Sequence, residues 1–398
     1  VSGPVDAELA RVVRDHAGRL AASLVHLVGD FSAAEDLVQE AIEAAVRTWP
    51  VEGIPERPDA WLYTVARRRG LDVLRREKRH REKLTGVSWP TEPEPDDRLR
   101  LIFTCCHPAL PRAAQVALTL RVVCGLTTAQ IAKALVVRES AVARRITRAK
   151  QKISDAAIPY RIPGPDELPA RLDEVLTVIY LLFNEGYLSS GGDRAQSRDL
   201  TDDAEFLAAL LHRLMPTEPE VAGLLSLIRL HRARAAARFD ENDEIVQLQR
   251  QDRSLWDHAA IAEAGRSIAR AASYRRPGPY QLQAAIAACH AEAPSWEDTD
   301  WTQIAVLYDM LVHLAASPVT ALHRAIALRY VQGPAEALAA VDELESSLAE
   351  YHLWHATRAE LLRELGRRDD AQQADARALA LTANPAERSL LRERLNWT

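Results

Sequence analysis

Between Ala60 and Lys83 stand Arg67, Arg68, Arg69, Arg75, Arg76, Lys78, Arg79, Arg81 and Lys83, against three acids, Asp72, Glu77 and Glu82. Trp61 and Tyr63 share the stretch. A basic stripe of this kind attracts a phosphate backbone. Neighbouring rings let exposed bases stack, at roughly 1–3 kcal/mol per base. The chemistry implied is binding of a nucleic acid whose strands come apart. Just upstream, Asp36, Gln39 and Glu40 fall within one helical turn and so present one polar patch. Farther on, Arg144, Arg145, Arg148, Lys150 and Lys152 give a second basic run. Cys105, Cys106 and His107 are three adjacent residues, which cannot all aim at one tetrahedral ion from a helix, and no Cys-x-x-Cys pair completes a site. They read as core thiols, and nothing asks for a metal or a cofactor. The chain has no P-loop, no GxGxxG after a strand, no HExxH and no GxSxG, so an enzyme is not expected.

The elements that must position these residues are helical. Apolar residues recur at three- and four-residue spacing, with no convincing alternation of strand type, and an all-α protein follows. Two proline-rich stretches, Gly86–Asp97 and Ile158–Pro169, read as linkers. Between them, TTAQIAKAL is a short helix capped by Thr127 or Thr128, VVR a tight turn, and ESAVARRITRAKQKI a basic helix. Ile131, Leu135, Val142 and Ile146 fall where the two helices must pack. This is a helix-turn-helix, whose second helix enters a major groove.

Length and apolar content, 398 residues and 47%, allow two or three domains with cores of their own. The net charge of −6 hides an asymmetry: residues 1–155 carry 25 basic and 20 acidic residues, net +5, which leaves −11 for 156–398. A positive head on a negative tail fits a DNA-binding module joined to a domain that does not bind DNA, and motivates the idea that the tail competes for the basic surface. No run reaches the ~18–20 apolar residues of a membrane span and no leader pattern opens the chain, so a cytoplasmic protein is expected. The four cysteines show no disulfide framework, and abundant Arg and Ala hint at a GC-rich bacterial genome.

The segments AEDLVQEAIEAA and AWLYTVARRRGLDVLRR together resemble regions 2.1 to 2.4 of the extracytoplasmic-function (ECF) RNA polymerase sigma factors, and LRLIFTCCHPALPRAAQVALTLRVVCGLTTAQIAKAL resembles region 4.1 running into 4.2. The resemblance implies a region 2 helical bundle at 1–85, a linker at 86–97, region 4 with its helix-turn-helix at 98–157, a second linker at 158–169 and a C-terminal helical extension at 170–398. It implies that Asp36, Gln39 and Glu40 dock on core polymerase. Trp61, Tyr63, Arg67, Arg68, Arg75 and Arg76 would read and open the minus-ten element, with a base-capture pocket in the loop Pro50–Pro58. Ser140, Arg144, Arg145, Arg148 and Lys150 would hold the minus-thirty-five element. Where the family often carries Asn, this chain has Arg68, which implies phosphate contact there; Ala143 and Thr147 stand where Arg and an aromatic are frequent, which implies a different promoter preference.

The tail carries a repeat. At an offset of 34 residues Ala325 maps to Ala359, Leu328 to Leu362, Ala337 to Ala371 and Leu344 to Ala378, with Gly333 near the equivalent of Gly366. Small residues at helix crossings suit a tetratricopeptide-like array from about 280, and QLQAAIAACHAEA with DWTQIAVLYDMLVHLA form a third pair around the loop PSWEDT. The layout resembles the ECF subgroup with a C-terminal tetratricopeptide-like extension, which implies self-regulation through the tail, by contact with the sigma domains or with a protein or small-molecule regulator. Asn184, Glu185 and Tyr187 are candidates for such an interface; alternatively Gly186 closes a helix there and Tyr187 packs. His231, Arg232 and Arg234 read as a solvated helix face. Two rivals stay open: a stand-alone helix-turn-helix regulator with sensing repeats, which would bind promoter DNA without polymerase, and a scaffold, which would bind neither.

Overall fold

The computed structural model describes residues 20–80, 97–188 and 194–396, apart from 22, 26, 29, 136, 242–244, 383 and 384. The described residues are helical throughout, with an isolated bridge between Phe239 and Ile245 as their β interaction. The chain divides into two compact units: Val1–Gly186 with Gln196–Leu207, and Tyr187–Ala195 with Ala208–Thr398.

In the first unit, α1 (Phe31–Glu52) starts where the Asp30 carboxylate accepts the Ala33 N–H at 2.7 Å, an N-cap. Ala34, Leu37, Val38, Ala41, Ala45 and Trp49 form its buried stripe. The helix runs on through Pro50 and stops at Gly53, whose φ of 87° a side chain would resist. Packed against it is α2 (Pro58–His80), with Leu62 and Ala66 buried. At Gly70 a Cβ would come within 3.0 Å of Leu27 and 3.1 Å of Leu37, so the missing side chain lets the helices close.

Four helices follow: α3 (Asp97–Cys105), α4 (Arg112–Val122), α5 (Thr128–Ala134) and α6 (Glu139–Asp155). Thr127 is the cap of α5. Its hydroxyl accepts the Gln130 N–H at 3.2 Å while its own N–H donates to the Gln130 side-chain oxygen at 2.8 Å, a reciprocal capping box. Ile131, Val142 and Ile146 are buried between α5, α6 and α4, and Leu135 is half-buried, as the helix-turn-helix requires.

The next helix, α7 (Leu168–Leu188), belongs to this first unit as far as Gly186. Arg171 donates to the Phe103 carbonyl at 2.5 Å. Glu174 meets Arg112 at 2.6 Å and accepts from Gln115 at 3.5 Å, while Gln115 also donates to the His107 carbonyl at 2.9 Å. The proline-rich stretch 158–169 therefore does not separate compact units. Nor does the helix end at Asn184–Gly186, since it continues to Leu188. A glycine inside a helix costs only about 1 kcal/mol, and the burial of Val175, Leu176, Ile179, Leu182 and Phe183 outweighs it.

The helix α8 (Arg194–Leu214) passes into the second unit at Ala208. That unit continues with α9 (Pro219–Ala233), α10 (His258–Ser273), α11 (Pro279–Glu292), α12 (Trp301–Leu314), α13 (Pro318–Val331), α14 (Pro334–Asp342), α15 (Glu345–Leu348), α16 (His352–Glu364), α17 (Arg368–Leu381) and α18 (Pro385–Asn396). The pair α13/α14 recurs as α16/α17 at the 34-residue offset seen in the sequence, with Gly333 (φ 102°) and Gly366 (φ 77°) making the turns. Ala325, Ala337, Ala359 and Ala371 are all buried at the crossings. Helices α11 and α12 pack as the third expected pair, and Asp300 at the end of the loop caps α12 by accepting the Gln303 N–H at 2.8 Å.

The crossing of α9 and α11 is the tightest described. A Cβ on Gly223 would lie 2.6 Å from the Gln281 nitrogen. One turn earlier, the Glu220 carboxylate accepts the Tyr280 and Gln281 N–H groups at 3.0 Å each and the Gln281 side-chain amide at 3.1 Å, so it caps α11 from another helix. The expected solvated face at His231, Arg232 and Arg234 is corrected here. The His231 ring packs at 5.1 Å from that of Tyr187, and Arg234 donates to its Nδ1 at 3.2 Å. Burial, then Arg234, Arg238 and His290, push His231 down to about 3; burial, then Arg234 and Arg253, push His290 down to about 4.

Two outcomes follow for stability. Gly223→Ala is expected to lower it by about 1–3 kcal/mol, because the contact is with backbone and cannot swing aside; a melting temperature equal to the parent's would show that the crossing relaxes. Acid should loosen the second unit. Both imidazoles are held neutral, so the unfolded chain binds protons first, and stability falls as pH drops from about 6.5 toward 4. Allowing for the rings' partial exposure, the loss from pH 7 to pH 5 should be about 2 kcal/mol for the pair. Denaturant melts of the parent and of His231→Asn with His290→Asn should converge at pH 5 if this is right.

Candidate nucleic-acid interface

Asp36, Gln39 and Glu40 lie along α1, with Asp36 and Glu40 exposed and Gln39 half-buried. Glu40 is held by Arg69 of α2 at 2.6 Å, so this patch is fixed to the basic helix beside it. On α2, Trp61 is half-buried and meets the buried Trp49 edge-on, with centroids 5.6 Å apart, and thus serves the core. Tyr63, Thr64, Arg67, Arg68, Leu71 and Asp72 line a groove of about 370 Å³. It offers a ring, two guanidinium groups and one carboxylate acceptor within two turns, a set able to bind a nucleotide. The loop expected to hold a pocket is shorter than the sequence suggests, because α1 extends to Glu52 and leaves only residues 53–57. The groove lies on α2 itself. Arg75 and Arg76 continue that helix, and their side chains lie outside the described residues.

On α6, Ser140, Arg144 and Arg148 are exposed at four-residue spacing and share one face. Arg145 is half-buried. Lys150 points elsewhere, with its Nζ 2.5 Å from Oε2 of Glu35 and 3.6 Å from Oδ1 of Asp36. Arg121 reaches the other oxygen of Glu35 at 2.8 Å. Glu35 is 3% exposed, and sequence reasoning passed over it. The available signal was that it borders the apolar stripe of α1, next to Ala34.

The candidates on α7 do not form one cluster. Asn184 and Glu185 belong to the first unit and Tyr187 to the second, where the Arg238 guanidinium lies 3.5 Å over the Tyr187 ring and donates to its carbonyl. Cys105 and Cys106 are buried in the α3–α4 core. The Cys106 sulfur lies 3.5 Å from the Thr119 hydroxyl, and burial pushes its thiol up to about 12, which makes it inert as a nucleophile. No group of His, Cys, Asp and Glu among the described residues could hold a metal ion.

Residues 12–80, which include α1 and α2, match Sigma-70 region 2, and residues 100–153, from α3 to α6, match Sigma-70, region 4. The chain belongs to the ECF-like RNA polymerase sigma factors. As a sigma factor it is a transcription initiation factor rather than an enzyme, and its partners are core RNA polymerase and promoter DNA. Residues 171–272 match a family of unknown function (DUF6596). An uncharacterized protein of Rhizobium meliloti (strain 1021) is 44% identical over 388 residues, covering 94% of this chain and 92% of its own, so the likeness runs through the extension. No solved structure matches. The extension family thus begins inside α7, the helix that docks on region 4 of this sigma factor. Among the described residues no helix is long and apolar enough to cross a membrane.

Proposed function

We propose that this sigma factor works in the cytoplasm, docks on core polymerase through Asp36, Gln39 and Glu40, and opens the minus-ten element on α2. The observation that carries this is the placement of an exposed acidic patch, fixed by the Glu40–Arg69 bridge, beside a groove lined by Tyr63, Arg67 and Arg68. Arg75 and Arg76 extend the same helix toward phosphates. Unstacking a base costs a few kcal/mol, and the Tyr63 ring and the flanking guanidinium groups offset it. The exposed face of Ser140, Arg144 and Arg148, with Arg145 beside it, holds the minus-thirty-five duplex.

The extension, in this reading, regulates the sigma domains as a tetratricopeptide-like array, and it acts on region 4 through α7. The ties of Arg171 and Glu174 to α3 and α4 support positioning of region 4 over competition for its basic surface. A stand-alone regulator fits less well, since it leaves the region 2 fold without a use.

Three results are expected. The full chain should capture core polymerase stoichiometrically, and Asp36→Arg with Gln39→Ala should lose capture; retention by the variant would move the docking patch elsewhere. Arg75→Ala with Arg76→Ala should keep capture yet abolish promoter opening read by permanganate footprinting, and unchanged opening would sink the minus-ten assignment. Removing residues 170–398 strips α7 and should cost promoter output, whereas output equal to the parent's would leave the extension without a positioning role.

A further inference from the structure

The contact between Glu35, Arg121 and Lys150 joins regions 2 and 4, and its consequence follows from distance. If region 2 reads minus ten while region 4 reads minus thirty-five, the two sites lie about 25 base pairs apart, on the order of 85 Å at ~3.4 Å per pair. A compact unit of about 200 residues has a radius of gyration near 16 Å and measures about 40 Å across. Lys150 on α6 nonetheless sits at hydrogen-bond distance from Glu35 on α1. The form described here therefore reads one element at a time.

We infer that Glu35, Arg121 and Lys150 form an ionic latch that holds regions 2 and 4 closed in the free protein and is broken when core polymerase and promoter DNA engage. The inference rests on the roles given above to the two regions. Three observations carry it. Glu35 is buried and both of its oxygens are taken, one by each cation, so the cluster is satisfied internally. No extended helix packing among the described residues joins α1 or α2 to α3–α6, which leaves the crossing ionic and separable. The chain between His80 and Asp97 can span about 55 Å when extended, so the regions can part without unfolding.

The latch also shares residues with the surfaces that would release it. Asp36 belongs to the polymerase patch and lies 3.6 Å from Lys150. A partner that engages Asp36 competes with Lys150, and a phosphate that engages Lys150 competes with Glu35. Lys150 thus acts first as a latch cation, and its contact with DNA becomes available only on opening.

The test uses the full chain carrying Cys289→Ser, with dyes on Glu43→Cys of α1 and Lys152→Cys of α6, both exposed positions. Energy transfer is read free, with core polymerase, and with polymerase and promoter. The free parent should show high transfer. Transfer should fall in free Glu35→Gln and in free Lys150→Met, and should stay high in Lys150→Arg, which keeps the charge. In the parent it should fall to the background expected for ~85 Å once polymerase and promoter are bound. Helix content by circular dichroism equal to the parent's confirms that the variants are folded. High transfer in both neutralised variants, or in a promoter-engaged parent, would overturn the latch. Loss of transfer in the free variants with no polymerase capture by any form would uphold the latch and overturn the sigma-factor roles of these surfaces instead.

Discussion

A carboxylate stripped of water must find its counter-charges inside the protein, because the cost of burying it unpaired exceeds what most single contacts return. Glu35 is in that position, and the cations that answer it come from α4 and α6 of the other sigma region. The stripe Ala34, Leu37, Val38 and Ala41 presses α1 into the region 2 core and carries Glu35 in with it. Removing one partner would strand the others. Such pairs are weak as sources of net stability and better suited to fixing an arrangement. Here the arrangement fixed is that of region 2 against region 4.

The extension holds region 4 from another direction. Arg171 and Glu174 of α7 bind α3 and α4, so the proline-rich stretch before them is a connector within one compact unit. The negative charge of the tail first suggested competition for the basic helices. Much of that charge is engaged within the tail: Arg329 pairs with Glu360 and Glu364, Arg358 with Asp342, Arg377 with Glu350, and Arg363 with the buried Asp375. Acids committed to neighbouring arginines hold one another in place and offer little field to a distant partner.

What could be read from the sequence was what local rules govern. The spacing of apolar residues gave the helices, Thr127 with Gln130 gave a cap, and alanines at a 34-residue offset gave the paired helices of the tail. Those signals are written within a turn or a repeat. Glu35 could not be read in the same way, since its partners Arg121 and Lys150 are remote in sequence and Lys150 looks like any cation of a DNA-binding helix. Gly186 was misleading for a related reason: a glycine near a turn signal usually ends a helix, and here long-range burial carries α7 past it. His231 seemed a solvated residue until Tyr187 and Arg238 covered it. In each case the deciding contact was tertiary.

The two holds on region 4 leave one face of α6 free, and the helix periodicity says which. Val142, Ile146, Ala149 and Ile153 face its own core, and Lys150 turns toward Glu35. Ser140, Arg144 and Arg148 remain, on a common exposed line. The groove on α2 is likewise open in the same closed form. Neither DNA-reading surface is covered, so closure does not act by hiding them. It acts on the distance between them, and a promoter is recognised only by a protein that can place both surfaces at once.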